Sequence, residues 1–334
     1  MNYYCYILFI PIIIISNLMV FILSSWFSMW MVMEINMISF ISLLIFDKNI
    51  KKESFINYFL IQTLNSYLFL MMSLLLEYNI SKDIIMMFMN LSMINKMGVP
   101  PFYYWYLKIM NNMNWINIYL ISTMQKIIPL VILSNLLNYK FSMLFNLFIM
   151  LLSSIYSSIK GLSQSNLKFI FCYSSIIQMS WIIILMIFNE MMSMNYFIIY
   201  SMISLSLCLT FNKYNINNIN NMKLLKFNNI IIYYMMNFNI FSLASIPPFF
   251  GFLMKLIVTK ELFISLPLII FILLIMSSLI SMFFYLRMLF LNIMINSFSK
   301  KNNYKFINYS NKYNYKVMML LWMMMVLLLL MELV

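Results

Sequence analysis

The chain has 334 residues, 64% of them hydrophobic and only 9% charged, with a formal net charge of +13. A soluble domain carries about 25% charged residues, so this composition cannot cover a globular surface, and a mean hydropathy of +0.93 agrees. Three isolated cysteines (Cys5, Cys172, Cys208) and the lack of any histidine leave disulfide frameworks, zinc sites and Cys-ligated iron–sulfur clusters unsupported.

No GxGxxG or P-loop is present, so no nucleotide site is visible, and no cofactor or metal is expected in this chain. The residue choice is skewed: 38 Met, 3 Gly and a single alanine, Ala244, with abundant Ile, Asn, Phe, Tyr and Lys. Those residues have AT-rich codons, and abundant Met joins them if AUA encodes Met, as in animal mitochondria. A Met-rich, gap-filling core is the alternative, but it does not account for the missing alanines. The N-terminal MNYYCYILFIP has no basic region and does not read as a cleavable presequence.

Apolar runs of about twenty residues read as membrane helices. In chain order they fall at 3–23, 26–46, 56–78, 84–104, 115–137, 141–160, 168–188, 192–211, 227–254, 263–291 and 317–333. The linkers are rich in Asn and Lys, such as NKYNINNINNMKLLK at 212–226, and no long soluble domain interrupts them.

Charge placement supports that count. Of the 21 Lys and Arg, fourteen lie in loops after even-numbered spans. Loops after odd-numbered spans hold Lys82, Lys140 and Lys260, while Lys96, Lys126, Lys255 and Arg287 fall inside spans. Positive loops stay on the side of insertion. The N-terminus is therefore expected on that side, the matrix for a mitochondrial protein, and the C-terminus on the other. The +13 charge reads as topology rather than nucleic-acid binding.

Two charges lie mid-span: Glu34 in FSMWMVMEINMISFISLLIF and Lys126 in ISTMQKIIPLVIL. A charge at a helix centre costs on the order of 2.5–3.5 kcal/mol on insertion scales and marks an ion path; a structural Glu–Lys pair is the bland alternative. Glu77, Glu190 and Lys140 sit at span ends, where snorkelling accounts for them.

Two further stretches share an unusual composition. INKMGVPPFYYW (94–105) and SIPPFFGFLMK (245–255) each join a double proline to a glycine and a lysine: Pro100, Pro101, Gly98 and Lys96 in the first, Pro247, Pro248, Gly251 and Lys255 in the second. Proline removes an N–H and clashes with the preceding turn, so each span must break there. Freed backbone groups at membrane depth need protein or water around them. Broken helices in corresponding positions point to an inverted-repeat transporter with its ion site at the break; ordinary proline kinks are the alternative.

The broken spans are the fourth and ninth, five apart, as two inverted five-helix units require. The expected fold is thus an all-α polytopic membrane protein of about eleven transmembrane helices, two of them broken, in inverted five-helix repeats plus one C-terminal helix. The first repeat is placed at 1–140, the second at 141–295, and a loop with the last helix at 296–334.

Five motifs then carry a resemblance across most of the chain: MEINMISF (33–40), KMGVPPFYYW (96–105), QKIIPL (125–130), KGLSQSNLKFIFCYSSIIQMSW (160–181) and SLASIPPFFGFLMK (242–255). In this order they resemble the chain 2 family of mitochondrial NADH:ubiquinone oxidoreductase (respiratory complex I), an antiporter-like family whose animal members have eleven helices.

The resemblance implies a proton-pumping module of the membrane arm, with other membrane-arm and accessory subunits as partners, phospholipids such as cardiolipin around it and no redox site of its own. It implies Glu34 as the acidic partner of Lys96, Lys126 as the central lysine and Lys255 as the lysine nearer the exit. The family usually has histidine in place of Tyr103 and of Gln178, and Pro-Glu in place of Leu107 and Lys108. Burial disfavours a charged lysine and a nearby carboxylate favours it, so a Glu34–Lys96 pair that closes and opens would switch Lys96. A proton would then pass to Lys126 and Lys255, with Tyr103, Ser174 and Gln178 as water-holding groups or as ordinary interhelical bonds. A stand-alone cation/proton antiporter and a non-pumping spacer remain as other readings.

Overall fold

The computed structural model describes residues 2–47, 52–76, 82–137, 139–223 and 230–298. The expected span at 317–333 and the Lys-rich loop before it lie outside the described residues, as do Lys48, Lys51, Glu77 and Lys226.

Every long element among the described residues is helical: α1 Asn2–Met19, α2 Trp26–Phe46, α3 Lys52–Leu75, α4 Lys82–Met97, α5 Tyr104–Asn112, α6 Trp115–Ser122 and α7 Met124–Leu136. These are followed by α8 Lys140–Leu162, α9 Leu167–Met186, α10 Glu190–Tyr214, a short 3-10 turn Ile219–Lys223, α11 Ile230–Leu243, α12 Phe250–Ser265 and α13 Leu268–Phe298. Among the described residues seven helical segments are long and apolar enough to cross a membrane. Helix starts are set by polar caps in the apolar run: Ser25 accepts from Ser28 N, Asn166 from Lys168 N and Asn189 from Met192 N.

One expectation about the spans needs correcting: the fifth, read as one helix at 115–137, is interrupted at Thr123 into α6 and α7. The fourth and ninth spans break at their proline pairs as expected, into α4/α5 and α11/α12.

The described residues divide into two compact units, one up to Ser153 and one from Ser154 onward, with the boundary inside α8. In the first unit α2 packs on α1 and α3, α4 on α3, and α7 on α1, α2 and α4. In the second, α9, α11 and α12 pack on α10, while α13 meets α9, α11, α12 and the 3-10 turn.

Polarity runs opposite to that of a soluble domain. Large apolar side chains such as Ile22, Met191 and Ile264 stand exposed, while Asn90, Asn117, Asn146 and many serines are fully buried. The serines are satisfied inside their own helices: the hydroxyls of Ser153, Ser158, Ser174, Ser175, Ser180 and Ser206 each donate to the carbonyl three residues back. With 3 Gly and one Ala in the chain, serine serves as the small residue that lets membrane helices approach.

Candidate functional site

The first break is built by the sequence around Gly98. α4 ends at Met97, and Gly98 takes φ +69. Its N–H donates to Asn95 O (3.0 Å) and that of Val99 to Ile94 O (3.3 Å), the paired bonds of a Schellman cap. The Pro100–Pro101 bond is cis, and Phe102 N donates back to Val99 O at 3.0 Å, closing a tight turn into α5. Carbonyls left over at the break are taken by side chains. Gln62 Nε2 donates to Lys96 O (3.2 Å) and the Trp105 indole to Asn95 O (3.1 Å). A Cβ on Gly98 would lie 2.7 Å from Tyr106 Cβ, so nothing larger fits.

Lys96 occupies the last turn of α4, and its Nζ donates to Met33 Sδ at 3.3 Å. The neighbouring Glu34 acts on it electrostatically, but the two are not in ion-pair contact, and Glu34 Oε1 is buried without a hydrogen-bond partner. Glu34 and Lys96 are thus electrostatic neighbours without direct contact. Tyr103 stands at the N-terminus of α5, half-buried.

Lys126 is only 2% exposed, its Nζ 4.8 Å from the centre of the Tyr106 ring, a desolvated cation–π contact. It lies in the first turn of α7, just past the interruption that the sequence reading missed. There Tyr119 O accepts three donors: Thr123 N (3.0 Å), Thr123 Oγ1 (2.7 Å) and Ser122 Oγ (3.0 Å). Hydroxyls that compete for a helix carbonyl bend or break it. Pro129, inside α7, offers no N–H.

A chain of side-chain bonds converges here. Tyr58 donates to Gln125 Oε1 (3.2 Å), Gln125 to Asn36 Oδ1 (2.9 Å), Asn36 to Asn17 Oδ1 (2.9 Å), and Asn17 to Met124 O (3.1 Å). It ties α1, α2 and α3 to the turn holding Lys126. None of these four side chains was singled out from the sequence.

The second break repeats the first, with one exchange. Ser245 N donates to Ser242 O (3.1 Å) and Ile246 N to Phe241 O (3.3 Å), the Pro247–Pro248 bond is cis, and Phe249 N returns to Ile246 O at 2.9 Å. The positive-φ residue is Ser245, at +54, where the first break has Gly98. A left-handed conformation costs a non-glycine residue roughly 1–2 kcal/mol.

Setting the two Pro-Pro pairs in register thus places Ser245 against Gly98, Gly251 against Tyr104 and Lys255 against Lys108. Gly251 is not the counterpart of Gly98, and the two lysines fall on opposite sides of their prolines. Gly251 serves close approach instead: a Cβ there would lie 1.8 Å from Ser242 O.

Lys255, on α12, is 8% exposed. Its Nζ donates to Ser245 Oγ at 2.8 Å and lies 5.9 Å from the centre of the Trp181 ring. It opens onto a cavity of about 20 Å³, room for a water, lined also by Gln178, Tyr196, Tyr200 and Ser242. Tyr196 OH donates to Gln178 Oε1, so Gln178 has a hydroxyl partner that the sequence reading did not name. Ser174 gives its own proton to Phe171 O, 2.8 Å away. Among the described residues no group of three or more His, Cys, Asp or Glu could hold a metal ion.

Residues 24–281 match the family described as NADH:quinone oxidoreductase/Mrp antiporter, TM. The chain is similar to NADH-ubiquinone oxidoreductase chain 2 of Anopheles gambiae, 33% identical over 89% of each chain. It is also similar to the protein of that name from Rhipicephalus sanguineus, 34% identical over 93% of this chain and 96% of the other. In fold it resembles a chain of respiratory complex I from Thermus thermophilus, with a TM-score of 0.78 and 16% identity over 92% of this chain and 74% of that one. A chain of the Mrp complex from Dietzia sp. gives a TM-score of 0.74 and 12% identity over 84% and 59%.

Proposed function

The chain belongs to the membrane-subunit family shared by NADH:quinone oxidoreductases and Mrp antiporters, and from that premise we propose that it is the antiporter-like, proton-translocating subunit of a respiratory complex I. Its enzymatic role is as one part of an NADH:ubiquinone reductase, in which electron transfer belongs to other subunits.

The observation that carries the reading is Lys126, a fully buried lysine at a helix interruption inside an apolar span. A buried ionisable group in a membrane segment is a costly feature kept for ion movement. Each compact unit holds its own relay groups: Glu34, Lys96 and Lys126 in the first, and Lys255 with Gln178 and Tyr196 in the second. Glu34 sets the charge on Lys96; Lys126 takes and passes the proton; Lys255 and the hydratable cavity beside it deliver it.

The inner mitochondrial membrane is the proposed location, with the N-terminus on the matrix side. Contacts between helix ends support the parity of the span count. Asn114 and Asn117 both donate to Asp47 Oδ2 (2.6 and 3.0 Å), and Tyr6 donates to Asn117 Oδ1 (3.2 Å), joining the start of α1, the end of α2 and the start of α6. Leu167 N donates to Asn217 O (2.9 Å), and Arg287 bonds to Leu162 O and Gln164 O, joining the loops after α8 and α10 to the end of α13. In each cluster every member falls on the side the count assigns to the matrix. Other membrane-arm subunits and anionic phospholipids are the proposed neighbours.

Lys126→Arg and Lys126→Ala in the assembled complex test the reading. Arginine keeps the charge but effectively never deprotonates. Both variants are expected to assemble and to lose most NADH-coupled proton pumping, measured in sealed membrane vesicles; normal pumping in Lys126→Arg would reduce Lys126 to a fixed charge. Co-purification with a large NADH-oxidising complex separates this role from that of a stand-alone antiporter.

A further inference from the structure

The two breaks share one backbone and differ at one functional point. At the first, the left-handed position must be glycine, because a Cβ would strike Tyr106 at 2.7 Å. At the second, the same position is filled by serine at φ +54, against its conformational preference. The hydroxyl bought by that strain is not idle: Ser245 Oγ accepts from Lys255 Nζ at 2.8 Å and donates to Ala244 O at 2.7 Å. The bonds run in one direction, from the ammonium through the hydroxyl to a helix-end carbonyl.

We propose that Ser245 is a positioning residue for Lys255: it holds the ammonium at the end of α11, where the broken helix exposes its carbonyls, and at the mouth of the cavity lined by Gln178, Tyr196 and Tyr200. The inference rests on the proposed relay role of Lys255. A hydroxyl rather than a carboxylate suits the task. It fixes the lysine by a hydrogen bond to either protonation state, since a hydroxyl both accepts and donates, and it adds no opposing charge that would trap the proton.

The geometry makes the test clean, because glycine at 245 relieves strain instead of adding it. Complex carrying Ser245→Gly, Ser245→Ala, Ser245→Asn and Lys255→Ala is compared for assembly, NADH oxidation and protons pumped per NADH in sealed vesicles. Ser245→Gly and Ser245→Ala are expected to assemble at wild-type levels yet pump about tenfold less per NADH, the scale of one hydrogen bond to a charged group. Ser245→Asn, which tolerates the left-handed region and offers a side-chain oxygen, is expected to restore pumping. A purely structural serine would leave Ser245→Gly pumping normally or assembling better. That result, alongside failed pumping in Lys255→Ala, overturns the role of Ser245 alone. Normal pumping in Lys255→Ala overturns the relay reading beneath it, and the Ser245 role with it.

Discussion

The break at Gly98 and the break at Ser245 carry the same Schellman cap, the same proline pair and the same closing turn, yet they present their lysines differently. Lys96 precedes its prolines and leans on a thioether of the neighbouring helix. Lys255 follows its prolines and reaches back across the break to the cap residue itself. The backbone device is a way to open helix ends inside an apolar protein, and it does not dictate which side the titratable group comes from. Chemistry was placed on a repeated scaffold in two independent ways.

That comparison can be strained by substitution. The largest effect is expected at Gly251. A methyl group there must displace the Ser242 carbonyl, so Gly251→Ala should cost about 3 kcal/mol or more, beyond ordinary overpacking; little assembled complex should appear on a native gel. Next comes Gly98→Ala, which meets a side chain rather than backbone and adds left-handed strain of roughly 1–2 kcal/mol. Reduced assembly that recovers at lower growth temperature is the expected result.

Tyr196→Phe follows, leaving Gln178 Oε1 without its hydroxyl donor. The unsatisfied group should cost about 1–3 kcal/mol, read as a lower thermal inactivation temperature of the complex. Smallest is Gln62→Leu, which uncaps the Lys96 carbonyl at the first break. About 1 kcal/mol is expected, with no counterpart at the second break among the described residues. Equal sensitivity of both breaks to loss of their flanking glycines would show that Gly98 and Gly251 do the same job after all.

Much of the fold was legible because apolar length is a strong signal and double proline a stronger one. The breaks at Pro100 and Pro247 follow from missing N–H groups. The interruption at Thr123 does not, since it depends on two hydroxyls turning onto one carbonyl, a choice of rotamer that no spacing encodes. Glu34, Lys96, Lys126 and Lys255 stood out because charge in an apolar run is rare. Tyr58, Asn36, Gln125 and Asn17 did not, because neutral polar residues are scattered through this Asn-rich chain and only packing selects which of them meet. Ser245 was within reach: GVPPF set over SIPPF puts it where a glycine is needed. Sorting each motif by its residue types, rather than by register, paired Gly98 with Gly251 and hid it.

The Tyr58–Gln125–Asn36–Asn17 chain beside Lys126 has an electrical consequence. Side-chain amides donate and accept hydrogen bonds, but their nitrogens carry no basic lone pair and their protons are not released. The three amides, Gln125, Asn36 and Asn17, therefore transmit position and not charge, and the last ends on the Met124 carbonyl, which has nothing to pass on. Such a chain is an insulated mounting: it fixes a conductor while offering no shunt. A proton held on Lys126 has no leak toward α1, α2 or α3 along these bonds. Changing Gln125 to glutamate would put a titratable carboxyl next to the Tyr58 phenol and open one shunt, toward α3, while the Asn36 and Asn17 amides would still close the way to α1.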